Sequence, residues 1–367
     1  MIYLDSAATT FLKPPSVCRA VGKAMQTCAS PGRGGYPAAQ AAERTVYQTR
    51  ALAAELFDCA PEDVCFTSCA TEGLNIAIRT LVRPGDRVVI SGLEHNAVTR
   101  PLHALDAAVV PVRAPLFAGK AWAEAFSEAV TPETACVVCT QVSNVFGAVL
   151  PIEEIAALCA GRGVALIVDA SQAAGLLPVR LRAWQAAFVA MPGHKGLFGP
   201  QGTGLLLCGR MPEPLRFGGT GSQSASQAMP DFLPDRLEAG TANVPGIAGL
   251  GAGLEYVRSL DHTRVLAAER RMLRRAAEDL RRLGSEVWTG PDQAGVLSFR
   301  IPGVDPVEAA ARFAARGIAL RAGLHCAPLA HQTAGTFPDG TIRASVSSMT
   351  QPEDLLALVR TAKQLYF

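Results

Sequence analysis

The chain has 367 residues and a formal net charge of +2. At about 150 residues per domain, this length predicts roughly two domains. Hydrophobic residues make up 49% of the chain and charged residues 18%, which is typical of a folded globular protein rather than a disordered one. The net charge is too small to indicate binding to nucleic acid or to an acidic membrane surface.

We expect no membrane span, because no run of about 18 apolar residues is present. The first ten residues, MIYLDSAATT, lack the basic start and apolar run of a signal peptide, so the cytoplasm is the expected compartment. We therefore expect the ten cysteines to be reduced. Cys136 and Cys139 have CxxC spacing, but they lie in an apolar strand pattern, where residues three apart point to opposite faces. We therefore expect no metal site there.

Helical and strand patterns alternate from about residue 40 onward. Residues 38–57 and 71–82 have the apolar spacing of helices, and a threonine caps the second. Six short, branched, apolar runs predict buried strands: 63–68, 87–91, 135–140, 164–169, 186–191 and 202–208. This alternation predicts an α/β fold with a mostly parallel sheet and helices on both faces.

The last part of the chain has a different pattern. Proline and glycine accumulate from 209 to 253 and predict loops, and one long helix is predicted from about 255 to 283. From 285 onward, the order strand, helix, strand, helix predicts a smaller α+β unit. We therefore expect two domains: a large one of residues 15–255, and a small one of residues 1–14 together with 256–367.

Two predicted strands are followed by residues that suit the chemistry of a carbonyl cofactor. Lys195 lies in an apolar, glycine-rich loop, where a lowered pKa would favour Schiff-base formation, although a surface-loop lysine has the same sequence context. Asp169 ends a strand, at the edge where open α/β sheets bind ligands. A carboxylate there could pair with a pyridine nitrogen or simply cap a helix. Gln172 could face the same site.

Other candidates lie at helix starts and turns. Ala70 and Thr71 open a helix after a strand, so their backbone N–H groups suit a phosphate or form an ordinary helix start. His95 follows another strand end and could stack on a flat ring or be a simple loop histidine. Cys326 lies in a turn beside basic residues, a setting in which a cysteine can react as a thiolate. Arg343 could hold a substrate carboxylate through two parallel hydrogen bonds.

Taken in order, these motifs resemble those of the cysteine desulfurases and selenocysteine lyases, class V aminotransferase-like enzymes that use pyridoxal 5'-phosphate (PLP). The resemblance covers nearly the whole chain, in YLDSAATT (3–10), ATEGLNIAI (70–78), EHN (94–96), SNVFG (143–147), VDASQAAG (168–175), GHKGLFGPQGTG (193–204), EAGTANVPGIAGL (238–250), RAGLHCAP (321–328) and IRAS (342–345). It implies PLP fold type I, with a large, mostly parallel-sheet domain and a smaller α+β C-terminal domain.

The resemblance also implies roles for the reactive residues. Lys195 would bond to PLP and move protons, Asp169 would pair with the ring nitrogen, Gln172 would contact the ring oxygen, and His95 would stack on the ring. The Cys326 thiolate would take sulfur from the substrate as a persulfide and leave alanine.

The phosphate and the subunit arrangement follow from the same resemblance. Ala70, Thr71 and His194 would hold the phosphate, and Thr241 would reach the phosphate bound by a neighbouring subunit, which implies a homodimer with shared sites. Pro192 departs from the family pattern, because many members have a hydroxyl residue there and proline has neither hydroxyl nor N–H.

The substrate and the final acceptor stay open at this point. Asn144, which would also contact the cofactor, would bind the carboxylate of L-cysteine or L-selenocysteine together with Arg343 and Arg321. The short loop around Cys326 is similar to that of the group that includes selenocysteine lyases. A selenocysteine lyase or another C–S lyase is therefore an alternative to a desulfurase with a sulfur-acceptor protein. A non-catalytic sulfur carrier and a true aminotransferase are further alternatives.

Overall fold

The computed structural model describes residues 1–32 and 34–366. Its strands are β1 (Ile2–Tyr3), β2 (Val64–Thr67), β3 (Arg87–Ser91), β4 (Ala108–Val112), β5 (Thr134–Thr140), β6 (Ala165–Asp169), β7 (Phe188–Pro192), β8 (Gly204–Cys208), β9 (Glu286–Trp288), β10 (Val296–Arg300), β11 (Ile318–Ala319), β12 (Arg321–Gly323) and β13 (Thr341–Ser345). Its helices are α1 (Pro15–Thr27), α2 (Pro37–Leu56), α3 (Ala70–Leu81), α4 (Asn96–Ala104), α5 (Gly119–Ala129), α6 (Ile152–Arg162), α7 (Val244–Arg258), α8 (His262–Arg282), α9 (Pro306–Ala315), α10 (Pro328–Thr333) and α11 (Pro352–Tyr366).

Seven strands form the central sheet in the order β2–β8–β7–β6–β5–β3–β4. Strands β4, β3, β5, β6 and β7 are parallel, and β8 is antiparallel to both of its neighbours. All residues of β6, β7 and β8 are buried, as expected for strands covered on both faces. The α/β fold with a large, mostly parallel sheet, predicted from the sequence, is confirmed.

Two apolar cores lie on opposite faces of this sheet. On one face, Trp122 of α5 and Ile155 of α6 pack in a cluster that includes Cys139. On the other face, Leu74 of α3 packs in a cluster that includes Cys136. The two cysteines of the CxxC spacing therefore point in opposite directions, as predicted. Residues 1–32 and 34–366 contain no cluster of three or more His, Cys, Asp or Glu side chains that could hold a metal ion.

A second, antiparallel sheet has the order β12–β13–β10–β9. Its apolar face packs on α8, α9 and α11 through a third core that contains Phe299 and Phe313. The N-terminal strand β1 pairs in parallel with β11, and Leu4 is buried in this third core. The N-terminus thus lies with the C-terminal sheet, and the exact division into residues 15–255 and 1–14 with 256–367 stays a prediction.

The prediction of one long helix over 255–283 is wrong, as is the loop prediction that extended to 253. Two helices, α7 and α8, meet at a break after Ser259. Each helix has its own side-chain cap: Asn243 Oδ1 accepts from Gly246 N (3.0 Å), and Asp261 Oδ1 accepts from Arg264 N (3.0 Å). The many glycines of α7 hid this helix, because glycine is a poor helix former.

Close packing explains why α7 contains glycine. A Cβ atom on Gly253 would lie 2.2 Å from the carbonyl oxygen of Leu197, in the loop that follows Lys195. The helix therefore supports the backbone next to the candidate lysine. No helix in the part of the chain that is described is long and apolar enough to cross a membrane.

We predict that Gly253→Ala destabilises the protein by about 1–3 kcal/mol, because the added methyl group must displace buried backbone. The matched control is Gly22→Ala in the middle of α1, where an added Cβ has no neighbour within 4 Å. That change should stabilise the protein by up to about 1 kcal/mol. Urea unfolding of both variants checks the prediction, and equal effects would contradict it.

Candidate active site

Eight of the residues singled out in the sequence line one cavity at the carboxyl edge of the central sheet: Ala70, Thr71, His95, Asn144, Asp169, Gln172, His194 and Lys195. Each lies at or after the end of one of five strands, β2, β3, β5, β6 or β7. Because these strands point in the same direction, the residues that follow them converge. The cavity is also lined by Pro192, the last residue of β7.

Asp169 is the buried acid of this cavity, with 3% of its surface exposed. Its Oδ1 accepts a hydrogen bond from Ser171 N (2.9 Å), which fixes the carboxylate. Among the described residues, nothing donates to Oδ2. Gln172 is oriented by a bond from its Nε2 to the carbonyl oxygen of Ala7 (2.9 Å), and its amide keeps a second N–H.

Lys195 lies on the loop after β7, and burial lowers the pKa of its amine to about 8. Asp169 opposes this shift, and Arg343 and Arg321 add to it. A neutral amine is therefore accessible near neutral pH. The preceding carbonyl oxygen, of His194, accepts hydrogen bonds from Thr10 and its neighbours in the N-terminal segment, which hold the loop in place.

Two neutral imidazoles flank the lysine. Burial lowers the pKa of His95 to about 4, and its Nδ1 accepts from Ala97 N (3.0 Å), so its proton lies on Nε2. Burial also lowers the pKa of His194 to about 4, and its buried Nδ1 has no partner in the described structure. The cavity therefore offers flat, uncharged rings and an unsatisfied ring nitrogen.

The start of α3 provides free backbone donors. The N-cap residue is Cys69 rather than the predicted threonine, and it makes no side-chain hydrogen bond to the helix. The N–H groups of Ala70 and Thr71 therefore point out of the helix end without a cap, an arrangement that suits an anionic group.

Cys326 lies outside the cavity lining, on an exposed turn at its border. Its carbonyl oxygen accepts from Asn96 N (2.7 Å), and the carbonyl oxygen of His325 accepts from Asn144 Nδ2 (2.8 Å). His325 and Cys326 have φ values of 49° and 55°, in the left-handed region that non-glycine residues rarely adopt. The contacts from Asn96 and Asn144 hold this strained turn against the site.

Arg343 on β13 is almost fully buried and already has a carboxylate partner. Its Nη2 contacts Asp5 Oδ1 at 2.6 Å, and its Nη1 donates to the carbonyl oxygen of Asn144 (3.0 Å). Arg321 lies directly opposite on β12 and is exposed. Sequence reasoning missed Asp5, and the only signal for it was its place within YLDSAATT.

Thr241 is not brought to Lys195 within one chain. It is exposed and lines a separate cavity, together with Ser68, Arg216 and Asn243. Its predicted role toward a neighbouring subunit stays a prediction.

Glu94 is a second residue that sequence reasoning missed. It is fully buried next to His95, and its Oε1 accepts from Ser91 Oγ (2.5 Å) and from Thr140 N (2.7 Å). Burial raises the pKa of this carboxyl group to about 8. A protonated Glu94 therefore ties the ends of β3 and β5 together, and its position in the EHN motif was the available signal.

Comparisons with known proteins agree with this geometry. The family model for class V aminotransferases matches residues 2–358. A probable cysteine desulfurase of Methanothermobacter thermautotrophicus is 32% identical, over 99% of this chain and 94% of the relative. A cysteine desulfurase of Yersinia pestis is 30% identical, over 89% of this chain and 84% of the relative.

Solved structures give the same result. The apo structure of a cysteine desulfurase from Thermococcus onnurineus has a TM-score of 0.91 and 28% identity, covering 100% of this chain and 94% of the other. The cysteine desulfurase CsdA of Escherichia coli has a TM-score of 0.86 and 28% identity, covering 99% of this chain and 94% of the other. The resemblance found in the sequence is confirmed, and the chain belongs to the class V aminotransferase family of PLP-dependent enzymes.

Proposed function

We propose that this enzyme is a cysteine desulfurase, which converts L-cysteine to L-alanine and transfers the sulfur as a persulfide on Cys326. The observation that supports this most directly is the exposed Cys326 turn, held by Asn96 and Asn144 at the border of a cavity that contains a lysine with a lowered pKa. Relatives named as cysteine desulfurases support the choice of substrate.

The unsatisfied groups of the cavity fit PLP. The uncapped N–H groups of Ala70 and Thr71 and the unpartnered Nδ1 of His194 suit its phosphate. The free oxygen of Asp169 suits the ring nitrogen, and the second N–H of Gln172 suits the ring oxygen.

Two further residues would contact the ring itself. The neutral ring of His95 suits stacking on the pyridine, and Lys195 would bond to the aldehyde carbon. When bound, PLP supplies an electron sink for the electron pair left by the α-proton of the substrate.

Lys195 is the base of the proposed reaction. With its pKa near 8, a substantial fraction of the amine is neutral at physiological pH and accepts the α-proton. With PLP bound, Asp169 would pair with the ring nitrogen and favour its protonated form. Lys195 would then return this proton to the product.

Cys326 is the sulfur acceptor. Its thiolate attacks the substrate sulfur, so that a sulfur–sulfur bond forms and the carbon–sulfur bond breaks. The electron pair of the broken bond stays with the carbon fragment, which takes up protons and leaves as alanine. Because the turn is exposed, a thiol or an acceptor protein can remove the sulfur and restore the thiol.

The Cys326→Ala variant should lose cysteine desulfuration by a hundredfold or more, on the order expected for a missing nucleophile. Alanine and sulfide are measured with L-cysteine and excess reductant, and wild type should form them in equal amounts. Cys18→Ala is the matched control, because Cys18 is also an exposed cysteine. Full activity of Cys326→Ala on L-selenocysteine alone would favour the lyase, and full activity on L-cysteine would refute the role of Cys326.

The lowered pKa of Lys195 predicts a pH dependence of stability in the cofactor-free protein. Between pH 8 and 10.5 the unfolded lysine binds a proton and the folded one does not, so the free energy of unfolding rises with pH. Relative to Lys195→Met, the wild type should gain up to about 3 kcal/mol over this range.

Denaturant unfolding at several pH values measures this gain. The control is Lys120→Met, because Lys120 has a side chain that is 91% exposed and should contribute no such gain. A pH-independent difference between wild type and Lys195→Met would contradict a neutral, buried amine.

We also propose a cytoplasmic homodimer in which Thr241 contacts the phosphate bound by the other subunit. Light scattering should give the mass of two chains. Thr241→Ala should retain the dimer mass and lose PLP several-fold faster on dialysis, because one phosphate contact is removed. Thr263→Ala, an exposed threonine on α8, is the control. A monomer, or unchanged PLP retention in Thr241→Ala, would contradict the shared site.

A further inference from the structure

We propose that Asp5 is an internal competitor for the substrate carboxylate: it occupies Arg343 while the site is free, and an α-carboxylate must displace it in order to bind. The inference rests on the proposed function only in assigning the substrate carboxylate to Arg343. It adds a residue, Asp5, that sets the affinity of the site for small carboxylates.

The guanidinium of Arg343 cannot be left without a carboxylate partner at low cost. Arg343 is 1% exposed, and burial lowers its pKa while Asp5 raises it. Arg321 lies opposite Arg343 on the neighbouring strand, and the repulsion between these two positive charges disfavours the charged form of Arg343. An isolated buried charge is strongly destabilising, so one carboxylate must stay close to Arg343.

One edge of the Arg343 guanidinium, the edge formed by Nε and Nη2, makes only one hydrogen bond among the described residues. Nη2 makes a single contact to Asp5, whereas the neighbouring Nε is buried and has no partner in the described structure. A carboxylate forms its strongest contact with arginine through two parallel bonds. A ligand carboxylate that accepts from both Nε and Nη2 would therefore satisfy Nε and take the place of Asp5.

Of the two groups bound to Arg343, Asp5 is the one that can leave. The Asn144 carbonyl is fixed, because the side chain of the same residue is bound to the Cys326 turn at His325. The Asp5 side chain is 21% exposed and can be hydrated when it is displaced. Exchange of one carboxylate for another keeps the charge around Arg343 unchanged.

The competition affects substrate and product alike, since both L-cysteine and L-alanine have the same carboxylate. Asp5 therefore lowers the affinity of the site for alanine and promotes its release, at the expense of weaker substrate binding. A molecule without a carboxylate, such as cysteamine, does not compete with Asp5.

The first test uses cofactor-free protein and does not depend on turnover. Asp5→Asn removes the competing charge with little change in shape. The melting temperature of Asp5→Asn should be lower than that of wild type, and sodium propionate should raise it more than an equal concentration of sodium chloride does. Wild type and Asp5→Glu keep the carboxylate. For each of these two proteins, sodium propionate and sodium chloride should change the melting temperature by the same amount. An equal response of Asp5→Asn would overturn the proposal.

The second test measures the Kd of L-alanine and of cysteamine in the PLP-loaded enzyme from the absorbance of the cofactor. Asp5→Asn should bind alanine about tenfold or more tightly than wild type and cysteamine equally well. Weaker alanine binding would instead show that Asp5 positions Arg343. Neither ligand needs to be turned over, so failure of the desulfurase assignment would not produce these outcomes.

A measurement on wild type alone covers the case in which Asp5→Asn does not fold. In a crystal structure of the PLP-loaded enzyme with L-alanine, the Asp5 Oδ1–Arg343 Nη2 contact should be broken and the alanine carboxylate should contact Arg343. An intact contact of 2.6 Å with alanine bound would contradict displacement.

Discussion

The constraint that organises this molecule is the need to balance a few buried charges at the carboxyl edge of the mostly parallel central sheet. Asp169 and Lys195 line the same cavity. Arg343 pairs with Asp5 and donates to the carbonyl oxygen of Asn144, another lining residue. Burial alone shifts the pKa of Lys195 and of Glu94 toward their neutral forms, and the neighbouring charges adjust these shifts. The same low-dielectric setting that makes these groups costly also makes them useful for moving protons.

The N-terminal segment connects the two sheets at this point. Asp5 binds Arg343, Ala7 N donates to Ser345 Oγ, and Thr10 donates to the carbonyl oxygen of His194. The lysine loop and the strand that contains Arg343 are thereby held by one stretch of chain. The proposed substrate binding at Arg343 and the proposed proton transfer at Lys195 would consequently be positioned by the same short segment.

The sequence predicted much of the fold and most of the cavity, for physical reasons. Short strands of branched apolar residues, and the polar residues at their ends such as Asp169, are local patterns of the sequence. Parallel strands then bring these polar residues together. The first part of α7 was missed because its glycines, which packing requires, mimic a loop. The Asp5–Arg343 pair joins residues 338 positions apart, so no local pattern indicates it. The role predicted for Thr241 requires a second subunit and is still a prediction.

The central claim is that sulfur from L-cysteine passes to Cys326, and intact-protein mass spectrometry after a single turnover without reductant tests it most directly. The account predicts a gain of one sulfur atom per chain, located on the peptide that contains Cys326, removed by added thiol and matched by one alanine released. Alanine formation with the extra sulfur absent from Cys326, or located on another cysteine, would contradict it.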